Sequence, residues 1–553
     1  VAYRLVVALA TFLLGATGFA YLGTWGGSAG PVTYLRGQVP PELELPPPGW
    51  VPEEPPVRVR PRVGTRTIAG RVSPRYLSFA IDTSQLVGGA WWDPGALRKE
   101  KGTGTVPARV FDFDRPKLDG LVRALEPAYL RVGGSEADKL YYDLDDRLDA
   151  PPEGYDSRMR LEHWAGLQRF VKQRDLELVF TLNAGPSARG DGGAWQPDNA
   201  EHLLRHASRR GDQIARIELG NEANLFWYVF GPWHAASAEQ YAEDLALSEE
   251  LLETYVPGTK LTGQSSAFWP VIGEPLTAFY DFQEDYLRVA APHIDYVAWH
   301  YYPQQSRRCF TASRRAHPTR LLVPEHLDEV ELWAEANVEW RDRYAPGQQL
   351  WMGETGNAQC GGEPGVSDRF IASLWWMDQL GLLARHDHAV VVRQTLSGMN
   401  YGMLSEPDLE PRPDYWASVL WKRLMGRDVL PVEVDAPTLR AYAHCTPDDV
   451  APPGAYTLLA INLDPRRAVT LALDAPAQSY IVTAPDVLGV ETRLGGRTLA
   501  VESTAGGGVV IPELPPAPVA TAEPRLPPTS FGFFVLDRAA PACRFPDGGP
   551  ESP

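Results

Sequence analysis

Glu222 closes the run IARIELGNE (214–222), and Glu354 stands in QLWMGET (349–355). Each follows a short apolar stretch of β type, and each has a glycine at hand: Gly220 before Asn221, and Gly353. Two carboxyls facing each other across a cleft can divide the cleavage of an acetal. One, protonated, hands its proton to the leaving oxygen; the other, ionised, attacks the carbon that the oxygen leaves. At about 5–5.5 Å apart such a pair works by double displacement with retention. A lone glutamate after a strand would read as a surface or salt-bridged residue; the joint placement favours the pair. His300, between Trp299 and Tyr301, stands at another strand end. Arg393 lies among apolar neighbours and reads equally as a buried ion pair and as a ligand.

The elements that must position these residues alternate. Eight strands are expected: FAID (79–82), AYLRV (128–132), LELVFTLNA (176–184), IARIELGNE (214–222), KLTGQSS (260–266), IDYVAWHYY (294–302), QLWMGET (349–355) and HAVVVRQT (388–395). Segments with apolar residues at three- and four-residue steps follow them, as amphipathic helices require. One of these, AEQYAEDLALSEELLETY, begins with Ser237 and Gln240 spaced as a capping box. Eight such repeats predict a (β/α)8 TIM barrel over 77–426, with the site at the C-terminal ends of the strands. Glu222 then ends the fourth strand and Glu354 the seventh, on opposite sides of the cleft. A doubly wound open sheet would carry a Gly-rich nucleotide turn after its first strand, and Gly133-Gly134 lacks the rest of that fingerprint. After Gly426 short β-type runs separated by Pro, Gly and Asp predict a C-terminal β-sandwich over 427–545. RTIAGRVS (66–73) is strand-like, so 63–76 is expected to add to it, and 546–553 to be a flexible tail.

A net charge of −18, from 70 acidic and 52 basic residues, argues against a nucleic-acid partner. No CxxC or His/Cys cluster suggests a metal site, and none is expected. The four cysteines, Cys309, Cys360, Cys445 and Cys543, fit one or two disulfides in an exported chain. Arg4 precedes an apolar run from Leu5 to about Leu22, so 1–28 reads as a signal peptide or membrane anchor. The Pro-rich stretch after it, within 29–62, reads as an extended spacer. The expected location is periplasmic, membrane-anchored or secreted.

IELGNEANLFW and LWMGETGNAQCGG resemble the acid/base and nucleophile motifs of glycoside hydrolase family 79, which contains heparanases and β-glucuronidases. LEPAYLRVGGSEAD, VAWHYYP, SDRFIASLWWMDQLGLLAR, VVVRQTLSGMNYGML, PDYWASVLWKRLMG, LRAYAHCT and SFGFFVLD are heparanase-like in the same order, from about Arg66 to Cys543. The resemblance implies Glu222 as general acid/base, Asn221 as the neighbour that binds the sugar 2-hydroxyl, and Glu354 as nucleophile. It implies that His300 and Tyr302 orient the nucleophile and line the −1 subsite. Asp82 and Ser135 would contact outer hydroxyls of a uronic acid; the family has Thr where Ser135 stands. Gln394 and Tyr401 fall in the eighth-strand motif, and Tyr401 with backbone amides near Cys360 and Gly361 resembles the carboxylate-recognition group. A phenol and peptide N–H groups are suitable donors to a carboxylate. Cys445–Cys543 matches the family disulfide.

Two departures bear on the substrate. Cys360 stands where the family has Gly, so Cys309 and Cys360 could form a bridge or remain free thiols. After Glu222 the chain reads LFWYVFGPWH, aromatic where heparanases carry basic clusters, whereas RRCFTASRRAHPTR (307–320) holds five Arg. That stretch reads equally as a contact for an anionic polymer and as a solvated loop. The excised linker of the processed animal enzyme has no clear counterpart here, so a single-chain, monomeric enzyme is expected. The resemblance implies a cofactor-free retaining β-glucuronidase of heparanase type, acting on glucuronic-acid-containing glycosides or glycosaminoglycans such as heparan sulfate. A β-glucosidase or β-xylosidase of the same clan and a non-catalytic carbohydrate-binding homologue are the alternatives.

Overall fold

The computed structural model describes residues 41–92, 105–190, 192–274, 283–309, 313–537 and 540–544. The apolar segment expected over 1–28, the first part of the spacer and the tail at 546–553 lie outside the described residues. Among the described residues, no helix is long and apolar enough to cross a membrane.

Eight parallel strands close into a barrel: β1 Leu77–Asp82, β2 Ala128–Gly133, β3 Leu176–Leu182, β4 Arg216–Leu219, β5 Lys260–Thr262, β6 Tyr296–Tyr301, β7 Gln349–Thr355 and β8 His388–Arg393. Each pairs with its sequence neighbour, and β8 returns to β1 with Val391 opposite Leu77. The fifth strand is broken. β5 pairs with β4, and a second piece, Ser266–Phe268, continues it beside β6. The single run expected over 260–266 is corrected there. Ser265, at φ 50°, turns the chain between the pieces. Most strand residues are buried, which is why the runs read as nearly continuous apolar stretches.

The helices cover the barrel: α1 Pro116–Arg123, α2 Leu161–Lys172, α3 Asp198–Arg210, α4 Ala238–Tyr255, α5 Gln283–Ala290, α6 Glu329–Tyr344, α7 Phe370–Arg385 and α8 Pro413–Leu424. α3 opens on Asp198, ends on Arg209 and Arg210, and stops at Gly211 in the left-handed region, so charge and cap both suit its dipole. At α4, Ser237 accepts from the Gln240 N–H at 3.2 Å, but the Gln240 side chain donates to Asp244 at 3.1 Å. Only half of the expected capping box forms.

The N-terminal end of the barrel is plugged. Tyr296 stacks on Trp351 with centroids 4.4 Å apart, and the Arg216 guanidinium lies 4.5 Å from the Tyr129 ring centre. Beyond the plug, a cavity of about 490 Å³ opens beside Glu177, Asp212 and Thr259. It lies at the opposite end of the barrel from Glu222 and Glu354.

The C-terminal region is a sandwich. An eight-stranded antiparallel sheet has Leu439–Cys445, Tyr456–Asn462 and Ser530–Leu536 at its centre. One face packs on α7, with Phe370 stacked on Phe531 at 6.0 Å. The other faces a three-stranded sheet across Leu430, Leu458, Leu471, Leu526 and Phe534. Gly70–Arg71 pairs with Asp428–Leu430 at the sheet edge. Val57–Val59 runs parallel to Val469–Leu471, and Arg62–Val63 pairs with Val432–Glu433. Residues 57–62, expected as spacer, are therefore bound into the β region. Their alternating Val and Arg fit a strand with one buried face. The hairpin Glu502–Ser503/Val509–Val510 stands apart from both sheets, with Val509 against Gly120 of α1.

Candidate active site

The C-terminal ends of β1, β2, β4, β6, β7 and β8 converge on a buried polar network. Glu354 is the penultimate residue of β7. Trp299 pairs with Met352 and His300 with Glu354, so Gly353 is an extra residue in β7, a bulge. A Cβ on Gly353 would lie 3.2 Å from His300 Nε2, so glycine lets the two strands close over the ring. Glu222 stands three residues beyond β4 rather than on it. It holds φ 53°, a strained region for a non-glycine residue, before the 3-10 turn Ala223–Leu225. Asp138 fixes the approach: its carboxylate accepts from the N–H groups of Asn221 at 2.9 Å and Ala184 at 3.0 Å.

One oxygen from each of Glu222 and Glu354 and a ring nitrogen of His300 lie within 4.8 Å of one another. Oxygens that close are compatible with the roughly 5–5.5 Å spacing of carboxyl pairs that work by double displacement. Tyr302 donates to Glu354 Oε1 at 2.5 Å, and Arg131 donates to Oε2 at 2.7 Å. His300 Nδ1 meets Glu222 Oε1 at 2.9 Å. Burial pushes the Glu222 carboxyl up to about 7, against the pull of Arg131. Burial holds His300 down at about 4, so its ring is neutral at neutral pH. The three ligand atoms are close enough to receive a cation, but the Arg131 guanidinium already brings a positive charge onto Glu354.

Asn221 Oδ1 accepts from Arg131 at 2.9 Å. Asp82 ends β1 and caps the turn Thr83–Val87, accepting from the Ser84 N–H at 2.9 Å; burial raises its carboxyl to about 7. Tyr401 is buried with Trp91 and Tyr302 in one aromatic cluster. Burial, then the charges of Asp82 and Glu354, hold its phenol well above its usual value. Gln394 is buried after β8, its N–H donating to Thr355 at 2.9 Å. Cys360 and Gly361 hold φ 59° and 80° in the loop after β7. Ser135 is exposed on the turn Ser135–Lys139, outside this buried network.

Both disulfides form: Cys445–Cys543, with Cα atoms 5.4 Å apart, and Cys309–Cys360, 5.5 Å apart. The second ties the loop after β6 to the loop after β7. Arg393 is structural: fully buried, it donates to Asp414 at 2.8 Å and lies 5.4 Å from the rings of Trp375 and Trp376. The Arg-rich stretch divides: Arg307 is exposed, whereas three of its arginines are turned inward. Arg308, Arg314 and Arg320 are buried. Arg308 donates to the Gly362 carbonyl, Arg314 pairs with Glu329, and Arg307 pairs with Glu363.

Sequence reasoning passed over Arg131, Glu218 and Asp138. Arg131 Nε donates to Glu218 at 2.8 Å, and Thr181 donates to the same carboxylate at 2.7 Å. Burial opposes the charge on Arg131, but Glu218 and Glu354 outweigh it and hold the guanidinium protonated. The available signal was charge inside two mostly apolar strands: Arg131 in AYLRV, and Arg216 and Glu218 in IARIEL.

Residues 91–381 match the family described as Glycosyl hydrolase family 79, N-terminal domain. Heparanase-like protein 1 of Arabidopsis thaliana is 31% identical over 381 residues, 66% of either chain. Heparanase of Mus musculus is 29% identical over 534 residues, 85% of this chain and 91% of that one. Among solved structures, a 4-O-α-L-rhamnosyl-β-D-glucuronidase from Fusarium oxysporum superposes with a TM-score of 0.62 at 14% identity, over 87% of this chain and 100% of that one. At that identity the likeness concerns the fold alone.

Proposed function

We propose, from the premise that this chain belongs to glycosyl hydrolase family 79, that it is a retaining β-glucuronidase of heparanase type. The observation that carries the mechanism is the close pair of carboxyls with unlike surroundings. Glu222, raised to about 7 by burial, keeps a proton to give. Glu354, held by Arg131 and Tyr302, is aimed and charge-stabilised for attack. In the first step Glu354 attacks the anomeric carbon while Glu222 protonates the departing oxygen. In the second Glu222, now ionised, takes a proton from the water that breaks the glycosyl–Glu354 ester. Neutral His300 keeps Glu222 oriented without adding charge.

Tyr401, Asp82 and the left-handed turn at Cys360-Gly361 support a uronic acid in the −1 subsite, the phenol and peptide N–H groups serving its carboxylate. Ser135 is assigned an outer hydroxyl at the rim. The substrates are glucuronic-acid-containing oligo- or polysaccharides, and the enzyme acts as an exported monomer. Two disulfides suit an oxidising compartment.

Hydrolysis of an aryl β-glucuronide and an aryl β-glucoside, measured side by side, tests the substrate. Faster glucoside turnover would overturn the uronate reading. Glu354→Gln should lower glucuronide turnover at least about 1,000-fold, and an unchanged rate would overturn the mechanism. NMR of the first-formed anomer should report β.

A further inference from the structure

The acid/base side of the cleft carries the other half of the substrate, because Glu222 must reach the oxygen of the leaving group. The segment just after Glu222 leaves the barrel on the same C-terminal face as that carboxyl. It is the loop 225–234, LFWYVFGPWH, without Lys or Arg. The loop is fastened to the end of the fifth strand: Asn224 donates to the Ala267 carbonyl at 3.1 Å and accepts from the Ala267 N–H at 3.0 Å. Two residues on, Trp269 meets Tyr228 edge to face at 6.1 Å, and Tyr228 meets Trp227 at 5.7 Å. Phe226 meets Phe230, and Phe230 meets His234, edge to face at 5.4 and 6.5 Å. In the same loop Tyr228 is 37% exposed, Val229 41% and Trp233 69%. Large exposed rings on a loop braced by further rings are costly unless something apolar covers them.

The five arginines of the Arg-rich stretch already hold partners of their own. In the stretch 307–320, Arg307 and Arg314 are in ion pairs with Glu363 and Glu329, Arg308 and Arg315 donate to backbone carbonyls, and Arg320 is buried. A sulfated leaving group would meet aromatic faces and a chain of net charge −18.

We infer that the loop 225–234 with Trp269 is a leaving-group subsite for an uncharged sugar, which lays the apolar C–H face of its ring on Tyr228 and Trp233. This rests on the glucuronidase reading and narrows it: the uronate is cleaved from a neutral glycan and not from a sulfated one.

The test compares kcat/KM of the whole enzyme on methyl β-glucuronide, on a glucuronosyl–galactose disaccharide and on the same disaccharide sulfated on galactose. Expected is a preference for the neutral disaccharide of at least about tenfold over either of the others. Tyr228→Ala/Trp233→Ala should remove that preference and leave methyl glucuronide turnover within about twofold. A sulfated disaccharide cleaved as fast as the neutral one would overturn the inference. So would a double variant that slows methyl glucuronide as much as the disaccharide. If no glucuronide is cleaved while an aryl glucoside is, the glucuronidase reading fails first and this one with it.

Discussion

As the proposed acid/base, Glu222 couples chemistry to stability through one proton. Its carboxyl is raised from an ordinary 4.5 to about 7 by burial. Activity that needs this proton should fall as pH rises through about 7, read as a descending limb in kcat/KM. A folded-state value above the unfolded one stabilises the fold fully below about pH 4.5, and that contribution is lost as pH climbs through 7. Glu222→Gln, which cannot ionise, should therefore melt higher than the parent at pH 8, by a difference worth about 2–3 kcal/mol. The difference should vanish near pH 4.5, and equal melting at pH 8 would contradict a buried, proton-holding Glu222. Arg131 sits at the crossing of the network, bonded to Glu218, Asn221 and Glu354. Arg131→Met would strand two buried carboxylates and should cost about 3–5 kcal/mol in denaturant unfolding. The two glutamates were legible because each ends an apolar run next to a glycine. Arg131 was not, because its partners lie 87, 90 and 223 positions away and a strand sequence does not say which inward charge meets which.

Among elements, β7 does the most to shape the site. The extra residue at Gly353 shifts its register so that Glu354 stands opposite His300. Gly353→Ala presses a methyl toward the His300 ring, 3.2 Å away. It should lower kcat at least about tenfold while changing the melting temperature by only a few degrees. Equal loss of kcat and fold would mean that the glycine serves packing alone. The alternation of strands and helices was readable from apolar periodicity, because a barrel strand buried on both faces leaves a continuous apolar run. The break in the fifth strand was not. KLTGQSS gives no strong turn signal, and the left-handed Ser265 is imposed by the need to reach β6. The strand at Val57–Val59 was hidden for the opposite reason: proline on either side marks a spacer until a partner sheet is known.

At the scale of the whole molecule, α7 welds the two regions. It is buried along nearly its full length, which explains its apolar run FIASLWWMDQLGLLA. One side lies on the barrel and the other on the sandwich. A Cβ on Gly381 would fall 2.2 Å from the Tyr442 ring, so helix and sheet approach as closely as backbone permits. A chain cut after residue 426 would expose that face and should be recovered aggregated, or soluble only with strong binding of an apolar dye. A cut chain that melted like the parent would show the barrel to be independent.

The sandwich is laced from both ends of the sequence. Val57 lies against Val469, and Arg60 reaches Asp474, 414 positions away. During synthesis, at about 5–20 residues per second, the early strand must wait on the order of half a minute or more for the partner that completes it. Closing so long a loop is slow, and an unpaired strand edge invites other chains meanwhile. Residues 469–474 thus decide when residues 57–60 find their place, and until then that early edge stands open to the wrong partner.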